Sequence, residues 1–215
     1  MTIRLRNLSE LYPLISARAP GYNETSAIRE LRRALHDLCE YAYVSQDTVE
    51  SSLAAGESTL VYDSPHPSHL FVHRILSVTT PTGDLAIKSL PEMNQVDGWR
   101  TAEGAPRWCC PEIPGELSLY PSQPTEAITP IYIRLALTPS ATTTKIDEDV
   151  MNRYANAIAD GALMRILAIA NQKWTDPNES MRCERRFNLA RSNARAVANK
   201  TGAASTIQHR IRRQF

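Results

Sequence analysis

The last third of the chain carries its most restrictive pattern. Over Ile146–Ala203, two runs of helically spaced apolar residues are joined by the turn Asn171–Asn178. In the first run Val150, Met151, Tyr154, Ala155, Ile158, Ala159, Ala162, Leu163, Ile166 and Leu167 form one wide apolar stripe, which has to be buried. Asp147, Glu148 and Asp149 place negative charge on its first turn, where the positive end of the helix dipole favours it. The second run opens with Asp176-Pro177, an acceptor for free backbone N–H groups followed by a ring that fits the first helical position. Along it Cys183, Phe187, Ala190, Ala194 and Val197 step by four, three, four and three residues, a narrow seam that packs on a partner helix. Gly202 marks the expected stop.

A third amphipathic helix starts at Thr25 or Ser26, runs through Ile28, Leu31, Leu35, Leu38 and Ala42, and is expected to end near Gln46. His36 and Cys39 lie close to its seam, where packing or surface roles are the expectation. Between Ala54 and Ser140 the pattern changes to prolines, glycines and short β-rich runs. Strands are expected at Thr59–Tyr62, Leu70–Thr79, Leu85–Leu90, Glu116–Tyr120 and Ile131–Thr138, with a hairpin turn at Pro81-Thr82-Gly83-Asp84. Trp99 and Trp108 fall in the loop-rich middle and read as a mini-core. The expected fold class is α+β: an antiparallel helical bundle of three main helices over 1–53 and 146–203, a small antiparallel β domain inserted over 54–145, and a C-terminal arm over 204–215.

Charge is unevenly divided. From Met181 to Phe215 nine Lys and Arg side chains face a single acid, Glu184, a net +8. The chain ahead of Met181 holds the other 15 of the 24 Lys and Arg and the other 22 of the 23 Asp and Glu, a net −7. Such a chain suits a subunit whose C-terminal end meets an acidic neighbour or nucleic acid, and a solvated helix face is the plain competing reading. The last residues place Ile207, Ile211 and Phe215 at every fourth position, flanked by Arg210, Arg212 and Arg213. That composition fits either a docking arm or a frayed tail.

The start Met-Thr-Ile-Arg-Leu-Arg lacks the apolar run of a secretory signal, and no window approaches the roughly 18 apolar residues of a membrane span. No membrane partner and a cytoplasm-like compartment are therefore expected. Four cysteines, Cys39, Cys109, Cys110 and Cys183, are spaced unlike a disulfide scaffold and read as reduced thiols. His66, His69 and His73 have a metal-like spacing, but the Ser64–Ser68 context is turn-like and brings no cysteine to complete a site. The motifs G-x-G-x-x-G, G-x4-G-K-[S/T] and G-x-S-x-G are absent. No catalytic residue, metal or cofactor is expected, and a hydrolase built on His66–His73 would lack a nucleophile and its orienting partner.

Two stretches carry a family resemblance. The pattern Tyr154-x3-Ile158-Ala159-x-Gly161-Ala162-Leu163, followed by Lys173-Trp174-x-Asp176-Pro177 and then by Phe187 with Ala190-Arg191, resembles the head-to-tail adaptor, or gatekeeper, proteins of short-tailed bacteriophages. The resemblance implies a structural virion protein rather than an enzyme. It implies a ring of twelve copies between the portal protein and the tail nozzle, extending the channel through which genomic DNA is retained and ejected. It also implies assembly in the host cytoplasm into the virion's head-tail connector. In that setting Ile207, Arg210, Ile211, Arg212, Arg213 and Phe215 would form the arm that clasps the portal or a neighbouring subunit. Arg182, Arg185, Arg186 and Arg191 would face another subunit or DNA. The alternative is a nucleic-acid-binding module built on the basic helix and tail, against which stands the sparse aromatic interleaving there, Phe187 and Phe215 alone.

Overall fold

A computed structural model of the protein describes residues 4–62, 69–121 and 127–212, with side chains described as far as Asn199. Two compact units emerge, one from Met1–Ser45, Ser68–Leu70 and Thr138–Phe215, the other from Gln46–Pro67 and Phe71–Leu137.

The first unit is helical. Short β1 (Leu5–Asn7) leads through a 3-10 turn, Leu8–Leu11, into α1 (Tyr12–Ser16). Helix α2 (Glu24–Ala42) is capped by Asn23, just ahead of the expected Thr25, with its side chain accepting from the Ser26 N–H at 3.1 Å. Helix α4 (Glu148–Ile166) begins at Asp147, whose carboxylate accepts from the Asp149 N–H at 2.8 Å. The acids read from sequence as helix-start charges are therefore placed as expected. Strand β9 (Lys145–Asp147) pairs antiparallel with β1 just before it. Helix α5 (Pro177–Arg212) folds back on α4. The common core joins Leu31, Leu35 and Leu38 of α2, Ile158, Leu163 and Ile166 of α4, and Cys183, Phe187 and Ala194 of α5.

Helix α5 does not stop at Gly202. Glycine inside a helix costs about 1 kcal/mol relative to alanine, and the alanines that follow it are strong helix formers, so the helix continues to Arg212. The residues expected to form a separate arm are, as far as Arg212, the last turns of that helix.

The second unit is a seven-stranded sheet in the order β2-β8-β4-β5-β6-β7-β3. Its members are β2 (Gln46–Leu53), β3 (Thr59–Val61), β4 (Leu70–Thr80), β5 (Gly83–Ile87), β6 (Trp108–Cys110), β7 (Glu116–Tyr120) and β8 (Ile128–Pro139), with the one-turn α3 (Leu90–Met93) after β5. The β4–β5 hairpin forms at the expected turn, with Thr80 opposite Gly83. The end strands β2 and β3 approach each other, so the sheet curls until nearly closed.

This corrects the expected fold class. The molecule is mixed α/β with a large sheet, rather than a helical bundle carrying a small antiparallel insert. Two strands of the sheet escaped the sequence pattern. Strand β2 reads Gln-Asp-Thr-Val-Glu-Ser-Ser-Leu, too polar to show its alternation, and becomes a strand by pairing with β8, Val49 opposite Ile133. Strand β6 runs parallel to β5, Ala86 opposite Trp108, so the sheet is mixed rather than purely antiparallel. Trp99 does form a mini-core as expected, with Met93, Cys110 and Tyr120, and its ring stands edge-on to Tyr120 at 4.5 Å with Trp108 packed alongside.

Candidate functional site

The turn between α4 and α5 is closed by a set of backbone and side-chain hydrogen bonds. Asn171 takes a left-handed φ of 59°, which asparagine tolerates. The Thr175 hydroxyl donates to the Ile169 carbonyl at 2.6 Å and accepts from the Gln172 N–H at 2.9 Å. The Asp176 N–H donates to the Leu167 carbonyl at 3.0 Å, and its carboxylate accepts from the Glu179 N–H at 2.9 Å, starting α5. Trp174 stands edge-on to Tyr22, ring centroids 5.5 Å apart, and so ties the turn to the chain ahead of α2.

Beyond the turn the three long helices meet at Gly161. A Cβ there would lie 2.8 Å from the Ala34 Cβ and 2.9 Å from the Phe187 ring, so only glycine lets α2, α4 and α5 approach this closely. This accounts for the glycine in the middle of the Tyr154–Leu163 pattern.

Next to Gly161, Asp160 is 8 % exposed although it lies inside the apolar stripe of α4. A buried carboxylate needs counter-charge and donors, and both are supplied. Arg186 grips it with two hydrogen bonds of 2.9 Å, from Nε to Oδ2 and from Nη2 to Oδ1, and Arg18 adds a third at 3.1 Å. Arg186 also reaches Glu179 at 3.0 Å, and Arg182 lies 3.5 Å from the same carboxylate. Arg186 holds the Glu179 carboxyl below the usual carboxylate range. Cys183 is buried beside this cluster, its thiol pushed up to about 11 by desolvation and by the Asp160 charge.

One and two turns further along α5, Arg191 and Arg195 leave the acids and turn to aromatic rings. The Arg191 guanidinium lies 4.4 Å from the Tyr41 ring centroid and 5.4 Å from that of Phe187. Arg195 lies 4.1 Å over Tyr43 and donates to the Tyr41 carbonyl, one of the free carbonyls at the end of α2.

The structure thus separates the four arginines that sequence grouped together. Arg186 and Arg182 are bound to acids of their own chain, Arg191 stacks on rings, and Arg185 is exposed. Ile207, Arg210, Ile211 and Arg212 lie on the last turns of α5. Arg213 and Phe215 lie outside the described residues, as does His66 of the histidine run. Sequence reasoning missed Asp160, Arg18, Tyr41, Tyr43 and Arg195. The available signal for Asp160 was a charge inside an apolar stripe, and for Arg195 the i, i+4 step from Arg191. Among the described residues no group of three or more His, Cys, Asp or Glu side chains could hold a metal ion, and no helix is long and apolar enough to cross a membrane.

Comparison with known proteins places this arrangement. No curated protein matches the chain. The family described as SU10 adaptor protein matches residues 7–211, a span that takes in nearly all of both units, including α4 and all but the last residue of α5. On that match the chain belongs to the SU10 adaptor protein family, structural adaptors of bacteriophages.

Proposed function

We propose that the protein is a subunit of the phage head-tail connector, one of a ring of copies, twelve by the resemblance in its motifs, that joins the portal protein to the tail nozzle. DNA retained in the head leaves through the channel this ring extends. The chain's own task is to present fixed surfaces to other virion proteins, and it needs no cofactor for that. The observation that carries the reading is helix α5. It continues without a break from the packed hairpin to Arg212, about 54 Å at 1.5 Å per residue. A basic, isoleucine-bearing end on such a helix meets a partner in a defined direction, which a frayed tail does not. The last segment, Ile207 to Phe215, docks on the portal or on a neighbouring copy. The net −7 ahead of Met181 and the net +8 from there to the end set register between copies.

The capture of Arg186 by Asp160 and Glu179 favours this over a nucleic-acid module, because it withdraws the central cation of the Arg182–Arg191 run from phosphates. Truncation after Lys200 tests the proposal. With the core contacts of α5 at Cys183, Phe187 and Ala194 retained, the thermal midpoint is expected to stay within about 2 °C, while the ring-sized complex with the portal is lost by native mass spectrometry. Full assembly of the truncated chain rejects the docking segment. A full-length chain that ignores the portal yet binds DNA with a steep salt dependence rejects the adaptor role.

A further inference from the structure

Where the end of α2 meets α5 there is an open pocket of about 330 Å³, lined by Asp37, Glu40, Tyr41, Tyr43, Arg191 and Arg195. Its construction is unusual in two respects. Tyr43 closes α2 in the left-handed conformation, φ 52° and ψ 42°, a position glycine or asparagine takes without strain and a bulky residue does not. The strained backbone sets the Tyr43 ring beneath Arg195. Arg191, between Tyr41 and Phe187, has its Nε enclosed without an acceptor, and its polar contact is a marginal 3.5 Å to Asn188 Oδ1. Among the described residues no carboxylate pairs with Arg191 or Arg195. Asp37, on the opposite wall, is already bound to Arg165, and Glu40 lies 3.7 Å from His36.

A guanidinium whose faces rest on aromatic rings is held in one plane, with its edge donors left to a planar anion. We infer that this pocket receives a carboxylate side chain from a second copy of the chain, with Arg191 as the principal donor and Tyr41 and Tyr43 as its floor. A second copy is the favoured source because it brings the complementary charge itself, the net −7 of the chain ahead of its basic segment. DNA suits the pocket less well. A run of phosphates needs a row of free cations, and Arg186, the nearest cation on the preceding turn of α5, is engaged with Asp160 and Glu179. Pocket and incoming acid are different surfaces, so the contact is heterologous and propagates around a ring. The inference rests on the adaptor reading and supplies a contact between copies that does not involve the last turns of α5.

Self-association of the full chain, followed by sedimentation over a concentration series at low and high salt, tests it. Arg191→Gln and Arg191→Lys are both expected to weaken association by roughly tenfold or more, with the thermal midpoint lowered by no more than a few degrees through the lost stacking on Tyr41 and Phe187, since lysine keeps the charge and loses the planar fork. Added salt weakens the wild type in the same direction. Association of Arg191→Lys at the wild-type level overturns the pocket in favour of diffuse charge. A chain that stays monomeric throughout overturns it too, and its capture by the portal would then leave the adaptor reading intact. Loss of binding to a short duplex oligonucleotide in Arg191→Gln, with self-association retained, assigns the pocket to phosphate instead.

Discussion

Gly161 shows how a single atom governs the helical unit. Alanine is the better helix former by about 1 kcal/mol, so on a solvated face the substitution would stabilise. At 161 the new methyl meets a Cβ of α2 and a ring of α5, both within 3.0 Å and neither the far end of a flexible side chain. Overpacking outweighs propensity, and Gly161→Ala is expected to destabilise by about 1–3 kcal/mol, read as a lower urea midpoint at constant slope. A neutral or stabilising result would mean that the three helices are further apart than described. The motif was visible in the sequence as Tyr154-x3-Ile158-Ala159-x-Gly161-Ala162-Leu163, but the reason for its glycine was not, because Ala34 and Phe187 approach from two other helices, remote along the chain. Asp160 follows the same logic. Its position inside the stripe is legible, and its partners Arg18 and Arg186 are contributed by the fold.

At the level of the element, the α4–α5 hairpin is largely coded by local chemistry. Asp147 and Asp176 cap the two helices, Pro177 opens the second, and Thr175 closes the turn through the nearby backbone groups of Ile169 and Gln172. Asp176→Ala should remove the acceptor for the Glu179 N–H and lower stability by about 1 kcal/mol, while Asp176→Asn or Asp176→Ser should recover most of it. Equal thermal midpoints for all three variants would show that the cap contributes nothing. The strands divide along the same line. Strand β8, with Ile131, Ile133 and Leu135 buried on one face, is evident from alternation. Strand β2 is evident only from its partner. The end of α5 is the opposite case, a local stop signal at Gly202 overridden by the helix formers around it.

On the scale of the whole molecule, both units bury thiols, and this contributes to a loss of stability at alkaline pH. Burial pushes Cys39 of the helical unit and Cys109 of the sheet unit up to about 12, from an ordinary value of 9.0. Above about pH 9 the unfolded chain gives up these protons while the folded chain keeps them, so the folded state binds more protons and stability falls as pH rises. The loss begins near the unfolded value and continues towards about 12, by at most about 1.4 kcal/mol per pH unit for each thiol. Urea midpoints taken under reducing conditions from about pH 7 to about pH 10.5 should be flat at first and then decline, and Cys39→Ala should shallow the decline. A level profile across that range would show that these thiols ionise as freely in the folded chain as in the unfolded one.

The cores of the three long helices, the Asp176-Pro177 start of α5 and the β4–β5 hairpin follow from the sequence by itself, because each depends on residues within a few positions of one another. Only the tertiary structure decided the size of the sheet, its near closure, the parallel pairing of β5 with β6, the capture of Arg186 by Asp160 and the seating of Arg191 and Arg195 on the end of α2. Those features depend on pairs far apart in the chain, where the energy of the contact, rather than the preference of either residue, selects the conformation.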